Sequence, residues 1–291
     1  MFQGSYVALV TPFNEDGSVN FDKLTELVQW HIASGTSGIV ALGTTGESST
    51  MTHEEDEDVV RCVMQAARHR IPIIAGAGSN CTETAMMKSL AYEKLGVDGL
   101  LLITPYYNKA NEKGMYRHFA DIAERVKTPI IMYNVPGRTG CGMSTQCVEA
   151  LSRLKNIKAL KEASGSISYV AKVARYISDD FELLSGNDDM IVPLMSLGGS
   201  GVISVFANIC PGQTSAIVEN CLEGDYKTAA AMQLQYLDLI NALFIEVNPI
   251  PVKAAMNAMG MNVGGYRLPL CEMDEDNYKK LISAMKVLED R

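Results

Sequence analysis

The sequence predicts a (β/α)8 barrel followed by a small helical domain. Short runs rich in Val, Ile and Leu recur along most of the chain, and each is followed by Gly, Thr, Asn or Pro and then by a segment of helical periodicity. Eight such alternations indicate parallel strands joined by helical crossovers, and eight is the number that closes this type of barrel. The rival fold is an open, doubly wound sheet. It is disfavoured because no Gly-x-Gly-x-x-Gly motif follows an early strand.

The predicted strands and helices alternate in regular order. The strands are expected at residues 6–10, 38–42, 71–75, 99–103, 129–133, 157–160, 181–184 and 201–205. The helices are expected at residues 22–33, 53–68, 82–95, 112–126, 144–154, 168–177, 189–197 and 211–222. The second helix begins with a capping-box pattern, in which the Thr52 hydroxyl and the Glu55 carboxylate each satisfy a backbone amide at the helix start.

The last part of the chain has a different pattern. The eight units end near residue 223, and three further helices are expected at residues 225–247, 251–259 and 274–288. Gly224 marks the entry to this part, and Pro249 and Pro251 interrupt its helical periodicity. We therefore expect a catalytic barrel over residues 1–224 and an α-helical domain over residues 225–291.

The composition argues against several classes of partner. Over 291 residues the formal net charge is -9 and there is no Lys/Arg-rich run, which disfavours nucleic acid and anionic membranes. The seven cysteines include no Cys-x-x-Cys pair and the four histidines are far apart, so neither a disulfide framework nor a metal site is expected. Neither a signal-peptide pattern nor a run of membrane-spanning length occurs. We expect a soluble cytoplasmic protein.

The carboxyl ends of the predicted strands carry most of the chemically useful side chains. Active sites of (β/α)8 barrels lie at these ends. Six of the eight ends offer hydroxyls, one cation, one amine, and glycines that allow a ligand to approach the backbone. The corresponding segments are residues 43–47, 104–107, 133–140, 161, 185–188 and 203–204.

Lys161 is the candidate reactive group. It follows a buried apolar run, and burial lowers the pKa of an amine, so that the neutral form attacks a ketone carbon to give a Schiff base. The alternative is a structural lysine whose stem lies on apolar surface while its head reaches water. With Tyr133 as proton donor and acceptor, and hydroxyls or backbone amides for a carboxylate, the set suits imine chemistry on a small anionic ketone.

The segments 43–47 and 133–140, together with Lys161, resemble the dihydrodipicolinate synthase family. That family lies within the pyruvate-dependent class I aldolase superfamily, which includes N-acetylneuraminate lyase. The resemblance extends from Gly4 to the C-terminal helices. It implies a barrel with a C-terminal helical domain, usually assembled as a homotetramer, and no cofactor other than the covalent imine between Lys161 and pyruvate.

The resemblance also implies a reaction and a role for each matching residue. Pyruvate condenses with L-aspartate 4-semialdehyde to give 4-hydroxy-tetrahydrodipicolinate, on the route to diaminopimelate and lysine. The resemblance implies that Lys161 forms the imine and that Tyr133, Thr44 and Tyr107 form a proton relay, in which Tyr107 reaches into a neighbouring subunit. It implies that the backbone amides of Thr44 and Thr45 bind the pyruvate carboxylate and that Arg138 binds the semialdehyde carboxylate. Gly186 and Ile203 are implied to line the pocket.

A second, regulatory site is implied for those family members that lysine inhibits. Its positions correspond to Ser48, Ser49, His53, Asn80 and Tyr106. Two further positions depart from the inhibited pattern, because Asp56 stands where those members carry His and Thr84 where they carry Glu. Losing a carboxylate that would pair with the amine of the ligand weakens binding, so we expect weak or absent inhibition by lysine.

Two other functions compete with this interpretation. A retro-aldol lyase acting on sialic or keto-deoxy sugar acids would share Lys161 and Tyr133, but the planar guanidinium of Arg138 suits a short substrate with its own carboxylate. A barrel that has lost catalysis would serve as a binding or scaffold protein, yet the lysine, tyrosines and arginine are all present. Each of these side chains alone also suits a structural role. Their predicted convergence at one face of the barrel favours an active site.

Overall fold

The computed structural model describes residues 1–289, and its strands form a closed parallel barrel. Neighbouring strands pair in chain order, and the last pairs with the first, Gly201 lying opposite Gly4. The predicted barrel is therefore confirmed. The strands are β1 Gly4–Ala8, β2 Gly38–Ala41, β3 Ile73–Gly76, β4 Gly99–Ile103, β5 Ile130–Asn134, β6 Ile157–Glu162, β7 Glu182–Ser185 and β8 Gly201–Ser204.

Helices cover the outside of the barrel. Helix α2, His53–Ala67, begins with the predicted capping box: the Glu55 N–H donates to the Thr52 hydroxyl at 3.2 Å, and the Thr52 N–H donates to the Glu55 carboxylate at 3.0 Å. The helices up to the end of the last unit are α1 Phe21–Ala33, α2 His53–Ala67, α3 Thr82–Leu95, α4 Glu112–Arg125, α5 Pro136–Thr139, α6 Thr145–Ser152, α7 Ile167–Val173, α8 Ile191–Met195 and α9 Pro211–Leu222.

The C-terminal part contains four α-helices within the described residues, where three helices are predicted. They are α10 Tyr226–Gln235, α11 Leu237–Ala242, α12 Ile250–Ala258 and α13 Glu275–Met285. The difference arises at Tyr236, which leaves helical geometry and packs its ring against Phe206 with centroids 5.6 Å apart. The division into a barrel over 1–224 and a helical domain over 225–291 stays a prediction, and residues 290–291 lie outside the described part.

The strand ends show why two boundaries differ from the prediction. Strand β3 begins at Ile73 because Pro72 has no N–H to donate to a neighbouring strand. Strand β6 continues to Glu162 because Lys161 and Glu162 pair with β5 on one side and with β7 on the other. Lys161 is thus part of the strand and shares its rigidity.

Alternation along the strands separates two layers of core. In β5, Ile131 and Tyr133 join the cluster inside the barrel, whereas Ile130 and Met132 pack against the helices. In β6, Ala159 belongs to the inner cluster. Because side chains alternate along a strand, Lys161 also faces the interior of the barrel.

No helix among residues 1–289 is long and apolar enough to span a membrane.

Candidate active site

Strands β5 and β6 place Tyr133 and Lys161 side by side inside the barrel mouth. The two residues are direct partners in the register, and the Lys161 Nζ lies 4.2 Å from the centroid of the Tyr133 ring. Both are buried, with 6% of Lys161 and 7% of Tyr133 exposed. The alternative in which the head of Lys161 reaches water is therefore wrong.

Burial lowers the pKa of Lys161 to about 7. The carboxylate of Asp188 opposes this shift, and the guanidinium of Arg138 reinforces it. An unperturbed lysine is almost entirely protonated at neutral pH, whereas an amine with a pKa near 7 is about half neutral there. The site therefore supplies a nucleophilic amine at physiological pH.

Burial also raises the pKa of Tyr133, to about 12. Glu162 adds to this shift, while Arg138 and the side chain of Thr44 moderate it. Tyr133 is thus a neutral phenol at pH 7. To act as a proton donor it needs a neighbouring group that returns a proton to the phenol oxygen. Thr44 is the adjacent hydroxyl, and it is exposed at the mouth of the barrel.

The loop after β2 carries Thr44 and Thr45 in a constrained backbone. Residues Thr44–Gly46 form a single 3₁₀ turn, flanked by Leu42 with φ 58 and Glu47 with φ 55. Residues other than glycine rarely adopt this left-handed backbone conformation, so contacts with the surrounding structure must hold the loop in place. We call residues 43–47 the threonine loop.

Arg138 lies on the short helix α5, which begins at Pro136 directly after β5. Its side chain is exposed at the barrel mouth, and Nη2 donates to the backbone carbonyl of Asn248 at 3.4 Å. The guanidinium lies close enough to shift the pKa values of both Lys161 and Tyr133. A short anion bound at Lys161 therefore lies within the field of Arg138.

Asn248 is a site residue that sequence reasoning missed. Its Nδ2 donates to the Thr45 hydroxyl at 2.9 Å, and its Oδ1 is buried with no hydrogen-bond partner among residues 1–289. The only sequence signal was the interruption of helical periodicity at Pro249 and Pro251. That signal marked a break between helices and gave no reason to place the segment beside the threonine loop.

A cavity of about 60 Å³ joins these groups at the centre of the barrel. Gly186 keeps it open, because a Cβ there would lie 3.0 Å from Lys161 Cε and 2.7 Å from Ala163 Cβ. Ile203 is fully buried in the inner cluster but does not line this cavity. The predicted site residues lining the cavity are Thr44, Thr45, Tyr133, Arg138, Lys161 and Gly186.

Tyr107 does not join the other members of the predicted relay within one chain. It is 90% exposed, has φ 67, and lines neither the cavity at Lys161 nor the larger cavity beside it. The role of Tyr107 in the relay therefore stays a prediction.

The larger cavity, of about 410 Å³, continues from Thr44, Tyr133 and Arg138 towards α2 and α3. Asn80 does not line it, although its backbone carbonyl accepts a hydrogen bond from Asn108. The predicted regulatory residues that line it are Ser48, Ser49, His53 and Tyr106.

A lysine of the chain itself lies in this larger cavity. The Lys88 Nζ is 2.9 Å from Asp56 Oδ2, and both side chains are largely buried. Burial raises the pKa of Asp56, and Lys88 opposes the shift. Thr84, the other departure from the inhibited pattern, also lines the cavity. Lys88 was missed although it lies on the same helix as Thr84, because a lone helical lysine gives no sequence signal that its amine is buried.

The described part of the chain contains no cluster of metal ligands. Among residues 1–289, no group of three or more His, Cys, Asp or Glu side chains is arranged to hold a metal ion. The expectation that the protein uses no cofactor other than the covalent imine with pyruvate stays a prediction.

Comparison with known proteins identifies relatives over nearly the whole chain. The model of the "Dihydrodipicolinate synthetase family" matches residues 1–288. The chain is 50% identical to 4-hydroxy-tetrahydrodipicolinate synthase 1 of Clostridium acetobutylicum over 286 residues, which cover 98% of this chain and 97% of that protein.

Two solved structures extend the comparison to bound ligands. The chloride-inhibited dihydrodipicolinate synthase from Acinetobacter baumannii, complexed with pyruvate, superposes with a TM-score of 0.97 at 42% identity, covering 99% of both chains. The enzyme from Cyanidioschyzon merolae with lysine bound superposes with a TM-score of 0.96 at 39% identity, covering 99% of this chain and 98% of that one.

Proposed function

The chain belongs to the dihydrodipicolinate synthetase family, and we infer that it is a Schiff-base-forming lyase which condenses pyruvate with L-aspartate 4-semialdehyde to give 4-hydroxy-tetrahydrodipicolinate. One observation carries the proposal: a buried lysine of lowered pKa lies 4.2 Å from the ring of a buried tyrosine. The cavity that they share is lined by the threonine loop and Arg138. This arrangement supplies a nucleophile, a proton donor and a site for carboxylates.

Imine formation follows from the state of the two buried groups. The neutral Lys161 amine attacks the C2 carbonyl carbon of pyruvate, and a proton passes from the nitrogen to the former carbonyl oxygen, which gives a carbinolamine. Tyr133 donates a proton to that hydroxyl, which leaves as water, and the nitrogen is left as an iminium ion. Thr44 returns a proton to Tyr133, and Tyr107 of a second copy completes the relay to solvent.

Carbon–carbon bond formation uses the remaining groups. The C3 proton of the iminium is released through the Tyr133 relay, which leaves an enamine. Its C3 attacks the aldehyde carbon of the semialdehyde, the iminium re-forms, and the aldehyde oxygen takes a proton from the relay to become the 4-hydroxyl group. Backbone amides at Thr44 and Thr45 hold the pyruvate carboxylate, and Arg138 holds the semialdehyde carboxylate. The unpartnered, buried Oδ1 of Asn248 suits the ammonium group of the same substrate. That ammonium nitrogen, once deprotonated, displaces Lys161 from the imine carbon and closes the ring.

A coupled assay with pyruvate and L-aspartate 4-semialdehyde tests the proposal directly. Incubation with pyruvate and borohydride, followed by peptide mass spectrometry, should locate the reduced adduct on Lys161. Turnover of a sialic or keto-deoxy sugar acid, with no use of the semialdehyde, would instead establish the lyase alternative. Absence of any adduct would favour the scaffold.

The pH dependence of imine formation should report the pKa of Lys161. The reactive form is the neutral amine, so the rate of trapping at fixed subsaturating pyruvate should rise with pH and level off above an inflection near pH 7. In Asp188→Asn the inflection should move to lower pH, because the carboxylate that favours the ammonium form is gone. An inflection near pH 10 in the unmodified protein would contradict a neutralised amine.

The relay requires a neighbouring subunit, and we propose a homotetramer located in the cytoplasm. Tyr107 supports this assembly because it is 90% exposed in the isolated chain. Sedimentation velocity should therefore show a tetramer at assay concentrations. A catalytically active monomer would contradict the role of Tyr107.

Inhibition by lysine should be weak. Lys88 already pairs with Asp56 inside the larger cavity, so a ligand amine meets a resident cation and finds Thr84 where a carboxylate would help. We expect less than half inhibition at about 1 mM lysine in initial-rate assays. The double variant Asp56→His/Thr84→Glu should be more sensitive while keeping its uninhibited rate. Strong inhibition of the unmodified protein would contradict this prediction.

A further inference from the structure

Lys253 is a fully buried lysine with no part in the chemistry described above. It lies on α12 and is 0% exposed. Its Nζ donates to Glu47 Oε1 at 2.8 Å and to the Thr11 carbonyl at 3.1 Å. The same ammonium lies 4.3 Å from the ring centroid of Phe13 and 5.4 Å from that of Tyr266. Two oxygen acceptors and two aromatic rings thus surround the ammonium group.

Glu47 links this lysine to the active site. It is the last residue of the threonine loop, is 2% exposed, and adopts the left-handed conformation with φ 55. Its Oε2 accepts a hydrogen bond of 3.5 Å from the Arg267 N–H, so both carboxylate oxygens are held by the C-terminal part of the chain. The orientation of its side chain therefore fixes the end of the loop that carries Thr44 and Thr45.

Other contacts hold the same loop against the barrel. The Thr11 hydroxyl donates to the Gly46 carbonyl at 2.6 Å, and Thr11 is the residue whose carbonyl accepts from Lys253. At the other end of the loop, Gly76 lets the backbone of β3 approach Leu42, since a Cβ there would lie 2.1 Å from the Leu42 carbonyl oxygen. The loop is thus held at both ends.

Burying an ion pair of this kind costs folding free energy, because both charged groups lose their contact with water. Burial lowers the pKa of Lys253, and the carboxylate of Glu47 opposes that shift. Replacing a buried pair by apolar side chains of similar volume is often neutral or stabilising, so stability alone does not explain its presence. What an ion pair adds over apolar packing is a specific direction and distance.

We propose that Lys253 is a positioning residue for the reaction, which acts through Glu47 to hold the threonine loop where the Thr44 hydroxyl reaches Tyr133 and the loop amides face the pyruvate carboxylate. The inference rests on the proposed function. It assigns to the C-terminal helices a direct role in the geometry of the active site.

The double variant Glu47→Gln/Lys253→Met separates positioning from stability. Each single substitution leaves an unpaired buried group and should lower the thermal midpoint, whereas the double variant removes both charges and should recover most of that loss. Its turnover should nevertheless stay at least about tenfold below that of the unmodified protein, because a misplacement of about 1 Å in an active site costs up to about 100-fold. The pyruvate concentration that half-saturates borohydride trapping should also rise.

A matched control is available in the neighbouring ion pair. Arg267 contacts Glu55 at 2.6 Å and joins the same two parts of the chain, but in the described structure Glu55 makes no hydrogen bond or ion pair with the threonine loop. The bond from Arg267 to Glu47 uses the backbone N–H, which Glu55→Gln leaves in place. Glu55→Gln should therefore leave turnover within about twofold of the unmodified protein.

The outcomes distinguish this inference from the proposed function. If the double variant turns over at the normal rate, or if activity in all variants simply follows the folded fraction, the positioning role is wrong. If the unmodified protein traps pyruvate but ignores the semialdehyde, the proposed reaction fails, and half-saturation by pyruvate still tests the loop. If the unmodified protein traps no pyruvate, both fail together.

Discussion

Replacing Lys161 with methionine should abolish borohydride trapping of pyruvate and lower turnover by at least about 1,000-fold. Methionine has a side chain of similar length and fits the apolar surroundings, so the barrel should remain intact. The loss is expected to be this large because no other amine among the described residues lines the cavity at Lys161. The measurement is a coupled assay together with mass spectrometry of the trapped protein.

The thermal stability of Lys161→Met should increase, although its activity falls. The pKa of Lys161 is about 7 in the folded protein and near 10.5 when unfolded, so between these values the unfolded chain binds a proton that the folded chain does not. That difference disfavours folding by an amount that is full below pH 7 and disappears as the pH approaches 10.5. Lys161→Met should therefore unfold at a higher temperature than the unmodified protein at pH 7, and the gap should shrink with increasing pH.

Lys158 supplies the control for this experiment. It lies on the same strand, but its amine is paired at the surface with Asp180 at 2.9 Å. Lys158→Met should keep turnover within about twofold, because surface ion pairs contribute little. Normal turnover by Lys161→Met, or an equal loss in both variants, would contradict the assignment of Lys161 as the nucleophile.

Replacing Tyr133 with phenylalanine should lower turnover by about 100- to 10,000-fold, the range typical for loss of a general acid–base group. The ring stays and continues to fill the inner core, so the expected loss reflects the phenolic proton. Pyruvate affinity should change much less than kcat, since the loop amides bind the carboxylate. Steady-state kinetics in pyruvate separate the two effects.

The matched change is Tyr6→Phe. Tyr6 belongs to the same inner cluster but lies in β1, near Phe2 at the amino-terminal end of the barrel. It should cost stability and leave kcat within about threefold. If Tyr133→Phe loses no more activity than this control, the proton relay begins at another group.

The central pair was predictable because it depends on periodicity. Lys161 and Tyr133 each follow a short apolar run, and parallel strands bring such positions to the same end of a barrel. Their relative order in the sheet, β5 beside β6, also follows from the chain order of the strands. Arg138 was predictable for the same reason, since it lies a few residues beyond β5.

The contacts made by the C-terminal helices were not predictable from such patterns. Asn248 bonds Thr45 across 203 positions, and Lys253 pairs with Glu47 across 206. Periodicity places a residue on a face of its own helix but does not say which distant loop that face meets. Lys253 in particular lies in an apolar segment in which a lysine suggests a solvated head rather than a buried one.

The position of these contacts has a consequence for biosynthesis. A ribosome makes Lys161 and Tyr133 well before it makes α12, and domains generally fold from the N-terminus as they emerge. Until the last helices dock, the growing polypeptide carries its reactive amine next to a loop whose Glu47 side chain has no Lys253 to pair with. Prematurely terminated products that end before α12 should therefore be poor catalysts even where their barrels close.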